Sequence, residues 1–226
     1  MTTDASISVA AVIPVKNLHN AKQRLSSVLS QQERRDFFEA MVEDVLDAVV
    51  AARRVSEVFL VTRDPQAKIL AARWGASVFE EPCNRGHTEA VEFAAEALTN
   101  RGDSAMLTLP GDIPLVRPDE IDELIAAHRP GPAITISPAR DEKGSNAVLC
   151  TPPGALPFRF GENSFFPHLE KARAVGIDPQ VVPKSGIALD VDTPEDLALF
   201  ASKVSETRAY RFLQSVEIRK RCFSAE

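Results

Sequence analysis

The chain reads as one α/β domain, a mainly parallel, mixed sheet with helices on both faces. Three observations lead there. Short apolar runs of strand length alternate with longer stretches of helical periodicity as far as Ser137, the pattern of repeated crossovers onto one sheet. The 226 residues suit a single compact domain, 1–226, with enough chain to bury a substantial core. Finally, two apolar runs stop abruptly on carboxylates, at Asp112 and in Leu189-Asp190-Val191-Asp192. The carboxyl ends of strands are where open α/β sheets gather ligands.

The first strand is expected over 8–15, where Ala10 to Ile13 form an apolar run. A long polar connection follows, then Ser30-Gln31-Gln32-Glu33, a capping box that opens a helix. Phe37, Met41, Val45 and Val49, with Phe38, Val42 and Leu46, make a wide apolar stripe at helical spacing, which is core. A strand at 57–62 leads to Asp64-Pro65, a helix start, and that helix ends at Gly75. A short strand follows at 76–79, then the polar loop 80–87 and a helix near 88–98. The strand 105–109 ends at Asp112; 118–128 is helical and 133–137 is the next strand.

Beyond Ser137 the alternation becomes irregular. Two polar, Gly-bearing turns, 141–146 and 159–164, flank a strand at 147–150 and precede a helix over 165–175. Residues 138–186 read as an insertion that supplies a second-substrate pocket. A final helix at 194–204 closes the fold. The tail 207–226 carries Arg208, Arg211, Arg219, Lys220 and Arg221, and packs as a helix or frays.

Composition narrows the function classes. A net charge of −6 argues against non-specific nucleic-acid binding, which needs a basic footprint. No stretch has the length of a membrane span, and the first residues lack a basic region followed by an apolar one. Cys83, Cys150 and Cys222 are odd in number with no paired spacing, so they read as reduced thiols of a cytoplasmic protein. His19, His87, His128 and His168 are scattered, which gives zinc little support.

The chemistry concentrates at strand ends. Asp112 with Asp190 or Asp192 would form an oxygen-rich site suited to magnesium, which takes one or two carboxylates plus substrate phosphates. Asp190 and Asp192 share a face of an extended segment, so spacing does not choose between them, and Asp192-Thr193-Pro194 also reads as a helix start. Lys16, Lys22 and Arg24 stand in the loop after the first strand, where a nucleotide-binding protein holds phosphates. No glycine is present there, so cationic side chains would supply the attraction. Gly144-Ser145-Asn146 and the turn around Gly161 and Ser164 combine close backbone approach with hydroxyl donors, a weak signal for anion binding beside ordinary turn chemistry.

Together these segments resemble the 2-phospho-L-lactate guanylyltransferase family of coenzyme F-420 biosynthesis, over roughly 9–200. The likeness rests on Pro14-Val15-Lys16 with Ala21-Lys22-Gln23-Arg24-Leu25, on 30–35, Gly111-Asp112-Ile113-Pro114, Gly144-Ser145-Asn146-Ala147, on 160–165, and on Leu189 to Pro194. It implies a nucleotidyltransferase fold of the GT-A-like kind, GTP and a small phosphorylated three-carbon acid as substrates, and magnesium as cofactor. It implies that Ser145, Gly161 and Ser164 bind the acid and that Asp112 and Asp190 or Asp192 bind metal; in the mechanism expected from the residues, Lys16, Lys22 and Arg24 hold the leaving pyrophosphate. One departure stands out: where such enzymes commonly read Gly-Leu-Asn-Ala-Ala, this chain has Gly86-His87-Thr88-Glu89-Ala90.

The expected reaction is attack by a phosphate oxygen of the acid on the α-phosphorus of GTP. The rivals are another nucleotidyltransferase, a GT-A glycosyltransferase using Asp190 and Asp192, and a non-catalytic nucleotide-binding module. Which acid is used and the oligomeric state, a homodimer among the options, are open at this level.

Overall fold

A computed structural model describes residues 7–161, 163–216 and 218. Among these the strands are β1 (Val9–Pro14), β2 (Val55–Val61), β3 (Ser77–Phe79), β4 (Ala105–Thr108), β5 (Ala133–Pro138), β6 (Ser145–Thr151) and β7 (Gln180–Val181). The helices are α1 (Gln31–Ala51), α2 (Pro65–Arg73), α3 (His87–Arg101), α4 (Pro118–Ala127), α5 (Phe165–Ala174), α6 (Pro194–Ser202) and α7 (Arg208–Ser215). One sheet has the order β3-β2-β1-β4-β6-β5-β7. Parallel pairs predominate, and β6 runs antiparallel to both β4 and β5. The chain winds outward from β1 to β3, then returns to β4 on the other side of β1. The loops leaving β1 and β4 therefore diverge, and a crevice opens between them, the usual ligand position in such sheets.

Strand β1 shows why both faces are covered. Val9, Ala11 and Ile13 enter one apolar cluster, while Ala10 and Val12 enter another, as period-two side chains must. The first cluster takes Val42, Val45 and Val49 of α1, Leu70 of α2 and Ile121 of α4. The second takes Ala90, Val91 and Leu98 of α3, with Phe165 and Leu169 of α5. Helix α1 is buried on two sides, since Phe37 and Met41 turn from the sheet toward Phe200 of α6 and Leu213 of α7. That double burial accounts for the width of its apolar stripe.

Helix starts follow the local chemistry. Ser30 and Glu33 form the reciprocal capping box of α1, and Asp64 accepts the Gln66 and Ala67 N–H groups ahead of Pro65. The tail becomes α7, capped by Thr207 and anchored by Asp44, whose carboxylate accepts the Arg208 and Ala209 N–H groups at 2.8 and 2.9 Å. Arg219, Lys220, Arg221 and Cys222 lie outside the described residues, as does Glu162 of the second Gly-bearing turn.

Two features differ from expectation. The 138–186 segment is woven into the sheet, because β6 lies between β4 and β5. Residues 189–192 do not form a strand. Both edges of β4 are already taken by β1 and β6, so the segment keeps only one backbone bond to the β4 loop, from Val191 N–H to the Asp112 carbonyl at 3.0 Å. Its side chains still alternate, with Leu189 and Val191 buried.

Three histidines, His87, His128 and His168, are held neutral inside this fold. His128 sits between the hydroxyls of Thr135 and Thr151 at 2.8 and 2.9 Å, and burial lowers its pKa to about 4. His168 is brought to about 4 by burial and by Lys171. In the unfolded chain all three take up protons near 6.5. Between these values the unfolded chain binds more protons, so stability is complete above about 6.5 and falls as pH drops toward 4. Thermal unfolding measured across that window should show the decline, and His128→Gln should make it shallower. A slope unchanged by the substitution would contradict this account.

Candidate active site

The loop leaving β1 holds a single 3-10 turn at Gln23–Leu25. Lys22, just before it, has φ +54°, a left-handed conformation that costs a residue with a Cβ about 1–2 kcal/mol. Its ammonium donates to Asp112 Oδ2 and Asp192 Oδ1, each at 2.5 Å, and the side chain is 5% exposed. Burial opposes the lysine charge, but the two carboxylates and their hydrogen bonds prevail and raise its pKa. Burial also opposes the charge of Asp192, yet Lys22 and Arg24 hold its pKa below the usual value.

Asp190 experiences the opposite balance. Burial and the neighbouring Asp112 push its pKa up, against a hydrogen bond from Asn146. Asn146 Nδ2 donates to the Ile187 carbonyl and to Asp190 Oδ1, each at 3.0 Å, so β6 fixes the segment that carries the two aspartates. A second anchor lies upstream, where the Gly186 N–H donates to buried Glu120 at 2.8 Å. A Cβ at Gly186 would stand 2.3 Å from the Leu115 carbonyl oxygen, so only glycine fits. Thr193, not Asp192, caps α6 with Asp196 in a reciprocal box, leaving the Asp192 carboxylate for the cleft.

Asp112, Asp190 and Asp192 all line one cleft of about 760 Å³. Asp112 Oδ1 is buried without a hydrogen-bond partner, an orphaned oxygen that a cation would satisfy. Among the described residues no three ligating side chains stand close enough to form a ready cage. The donor set still suits magnesium, which completes its shell with water and substrate phosphates.

Of the three expected basic residues, Arg24 lines the cleft and Lys22 bridges the aspartates. Lys16 turns elsewhere, because Val15 continues along β2 through its bond to the Val61 carbonyl. The Lys16 ammonium donates to Asn84 Oδ1 at 3.1 Å, in the loop that follows β3. Burial lowers its pKa, while Glu81 and Glu89 act the other way.

Ser145, Gly161 and Ser164 line the same cleft as the aspartates. The Ser145 N–H donates to Ser164 Oγ at 3.0 Å, joining the two turns. Gly161 has φ +120°, a backbone conformation that disfavours any side chain. The unusual 86–90 stretch supports this turn directly. Thr88 Oγ1 accepts the Phe160 N–H at 2.9 Å, and the His87 ring meets Phe160 edge-on at 4.6 Å. His87 is kept neutral, at about 4, by burial and Lys16.

Sequence reasoning left Asn146 and His168 without roles. Asn146 belongs to the Gly144-Ser145-Asn146-Ala147 turn, but its partners are more than forty residues away in sequence. His168 is fully buried behind Ser145, one helical turn from Ser164, a position that reads in the sequence as ordinary core.

Comparison with known proteins adds the family. A family model described as "Guanylyl transferase CofC like" matches residues 9–224. A phosphoenolpyruvate guanylyltransferase of Sphaerobacter thermophilus is 37% identical over 84% of this chain and 91% of its own. A 3-phospho-D-glycerate guanylyltransferase of Colwellia psychrerythraea is 35% identical over 84% and 90%. A 2-phospho-L-lactate guanylyltransferase of Methanothermobacter thermautotrophicus is 32% identical over 93% and 92%. Among solved structures, one from Desulfovibrio desulfuricans described as a candidate nucleotide-diphospho-sugar transferase superposes with a TM-score of 0.77 at 19% identity, covering 95% and 98% of the two chains. A nucleotidyl transferase of Methanothermobacter superposes at 0.63 with 17% identity, covering 92% and 99%. These two show the shared nucleotidyltransferase-type fold, and the sequence matches show that the chain belongs to the guanylyl transferase CofC-like family.

Proposed function

We propose that the protein joins GMP from GTP to a small three-carbon phospho-acid and releases pyrophosphate, in the biosynthesis of coenzyme F-420. The observation that carries the reading is the combined chemistry of the cleft. Three aspartates and Arg24, with Lys22 buried against Asp112 and Asp192, share one cleft with the turns of Ser145, Gly161 and Ser164. The acids in the relatives' names, phosphoenolpyruvate, 3-phospho-D-glycerate and 2-phospho-L-lactate, all carry a phosphate monoester and a carboxylate.

A phosphate oxygen of the acid attacks the α-phosphorus of GTP in line. The new P–O bond forms as the bond to the bridging oxygen breaks, and pyrophosphate leaves with that electron pair. A monoester with a second pKa near ~6 is already largely ionised at neutral pH, so no dedicated general base is required. What the chain must do is align two anions and offset their charge. Arg24 and Lys22 provide cations beside the triphosphate, with Arg able to grip two oxygens at once. Asp112, Asp190 and Asp192 would hold magnesium, which when bound supplies the positive charge that draws the phosphates together. A cytoplasmic setting accords with the free thiols of Cys83 and Cys150.

The deciding experiment is a pyrophosphate-release screen of the three acids against all four nucleoside triphosphates. One acid with GTP should give turnover well above every other combination. Turnover with no acid, or a clear preference for another nucleotide, would overturn the reading.

A further inference from the structure

Behind the acceptor wall the hydrogen bonds have a fixed direction. The Arg159 N–H can only donate, and it meets His168 Nε2 at 3.0 Å. That nitrogen must therefore be unprotonated. The ring is fully buried and neutral, so its one proton lies on Nδ1. Nδ1 faces Ser145 Oγ at 2.9 Å and donates to it.

Ser145 Oγ thus accepts from within the protein and keeps its own proton for another partner. Ser164 is in the same position, since its Oγ accepts the Ser145 N–H at 3.0 Å. Although Ser164 precedes α5, it makes no side-chain cap bond. Among the described residues neither hydroxyl proton has an acceptor, and both residues line the cleft. Phosphate and carboxylate oxygens are pure acceptors when ionised. A pocket wall that presents two unspent hydroxyl donors matches such oxygens.

We propose that His168 is a positioning residue for the acceptor. Held by Arg159 on one side, it fixes the Ser145 hydroxyl as a donor aimed at the anionic group of the phospho-acid. Phe160, which meets the His168 ring edge-on at 5.0 Å, locks the ring plane and ties it to the Gly161 turn. The inference rests on the acceptor pocket assigned under the proposed function.

The test compares His168→Gln, His168→Asn and Ser145→Ala, singly and with Gln and Ala combined. It uses whichever of the three acids turns over with the unaltered protein. Asn can place an amide N–H where Nδ1–H stood, whereas Gln reaches the Nε2 position and loses the Ser145 contact. His168→Gln should raise the KM for the acid about tenfold, as loss of one oriented bond to an anion would. Its KM for GTP should stay within about twofold. His168→Asn should recover most of the acid affinity, and His168→Gln should add nothing in the Ser145→Ala background. Equal losses in the Asn and Gln variants, or losses additive with Ser145→Ala, would overturn the role of His168. If Ser145→Ala leaves the acid KM unchanged, or no acid turns over, the acceptor pocket itself is wrong and the inference falls with it.

Discussion

Asp112→Asn should lower kcat by about 10³-fold while leaving the folded chain in place. Asp112 stands at the switch point of the sheet, just beyond β4, and its Oδ1 is buried with no partner. Asn keeps the shape and can still pair through one oxygen, so the loop geometry survives. What disappears is the negative charge that a hard cation needs. Each ~1.4 kcal/mol of transition-state stabilisation is tenfold in rate, and a full ligand to magnesium is worth several such steps. The measurement is kcat at saturating magnesium, with thermal unfolding as the control for the fold. Near-normal turnover at saturating metal would remove Asp112 from the site.

Much of this site can be read along the chain, and the unread part has a physical cause. Asp112 is legible because an apolar run ends on it, and a buried strand ending in a carboxylate is a strong local signal. Asp190 and Asp192 are legible as a pair for the same reason, although the run before them is no strand. Alternation of burial alone looks identical whether or not a neighbouring strand exists, and β4 has no free edge to offer. The competing cap role of Asp192 could not be settled by spacing, since Asp and Thr both cap helices well. The fold assigns it to Thr193.

The basic loop shows the sharper limit. Lys16, Lys22 and Arg24 carry the same charge and lie within nine residues of sequence, yet they face different partners. The direction of Lys22 accompanies a left-handed backbone that no propensity rule assigns to lysine. Lys16 follows the path of β2. The parallel half of the sheet was recoverable from alternating periodicity, whereas the position of antiparallel β6 between β4 and β5 depends on pairings between distant segments. Strand β7, two residues long, carries no periodicity to read.

Lys22→Met should destabilise the protein without metal and make magnesium a stronger stabiliser than it is for the unaltered chain. In the structure the Lys22 ammonium is the cation between Asp112 and Asp192. Met fills similar volume without charge, leaving two carboxylates facing each other with Asp190 nearby. Removing one partner of a fully buried ion pair costs about 3–5 kcal/mol. Asp192 is 46% exposed, so solvent screens part of that loss, and about 1–3 kcal/mol is the reasonable expectation. For a chain of this size that lowers Tm by roughly 2–10 °C. Magnesium titrated into the variant should recover most of the loss, because a divalent ion can take over the charge that the ammonium supplied. Lys22→Gly serves as the backbone control. It removes the same charge and relieves about 1 kcal/mol of left-handed strain. It also empties the space of a side chain that is 5% exposed, which costs about 2 kcal/mol or more. It should therefore melt below Lys22→Met while keeping the same response to magnesium. Turnover should fall in both variants, since neither offers a cation to the triphosphate. If Lys22→Met melts like the unaltered protein and shows no greater shift with magnesium, the ammonium and the metal do not compete for the same carboxylates.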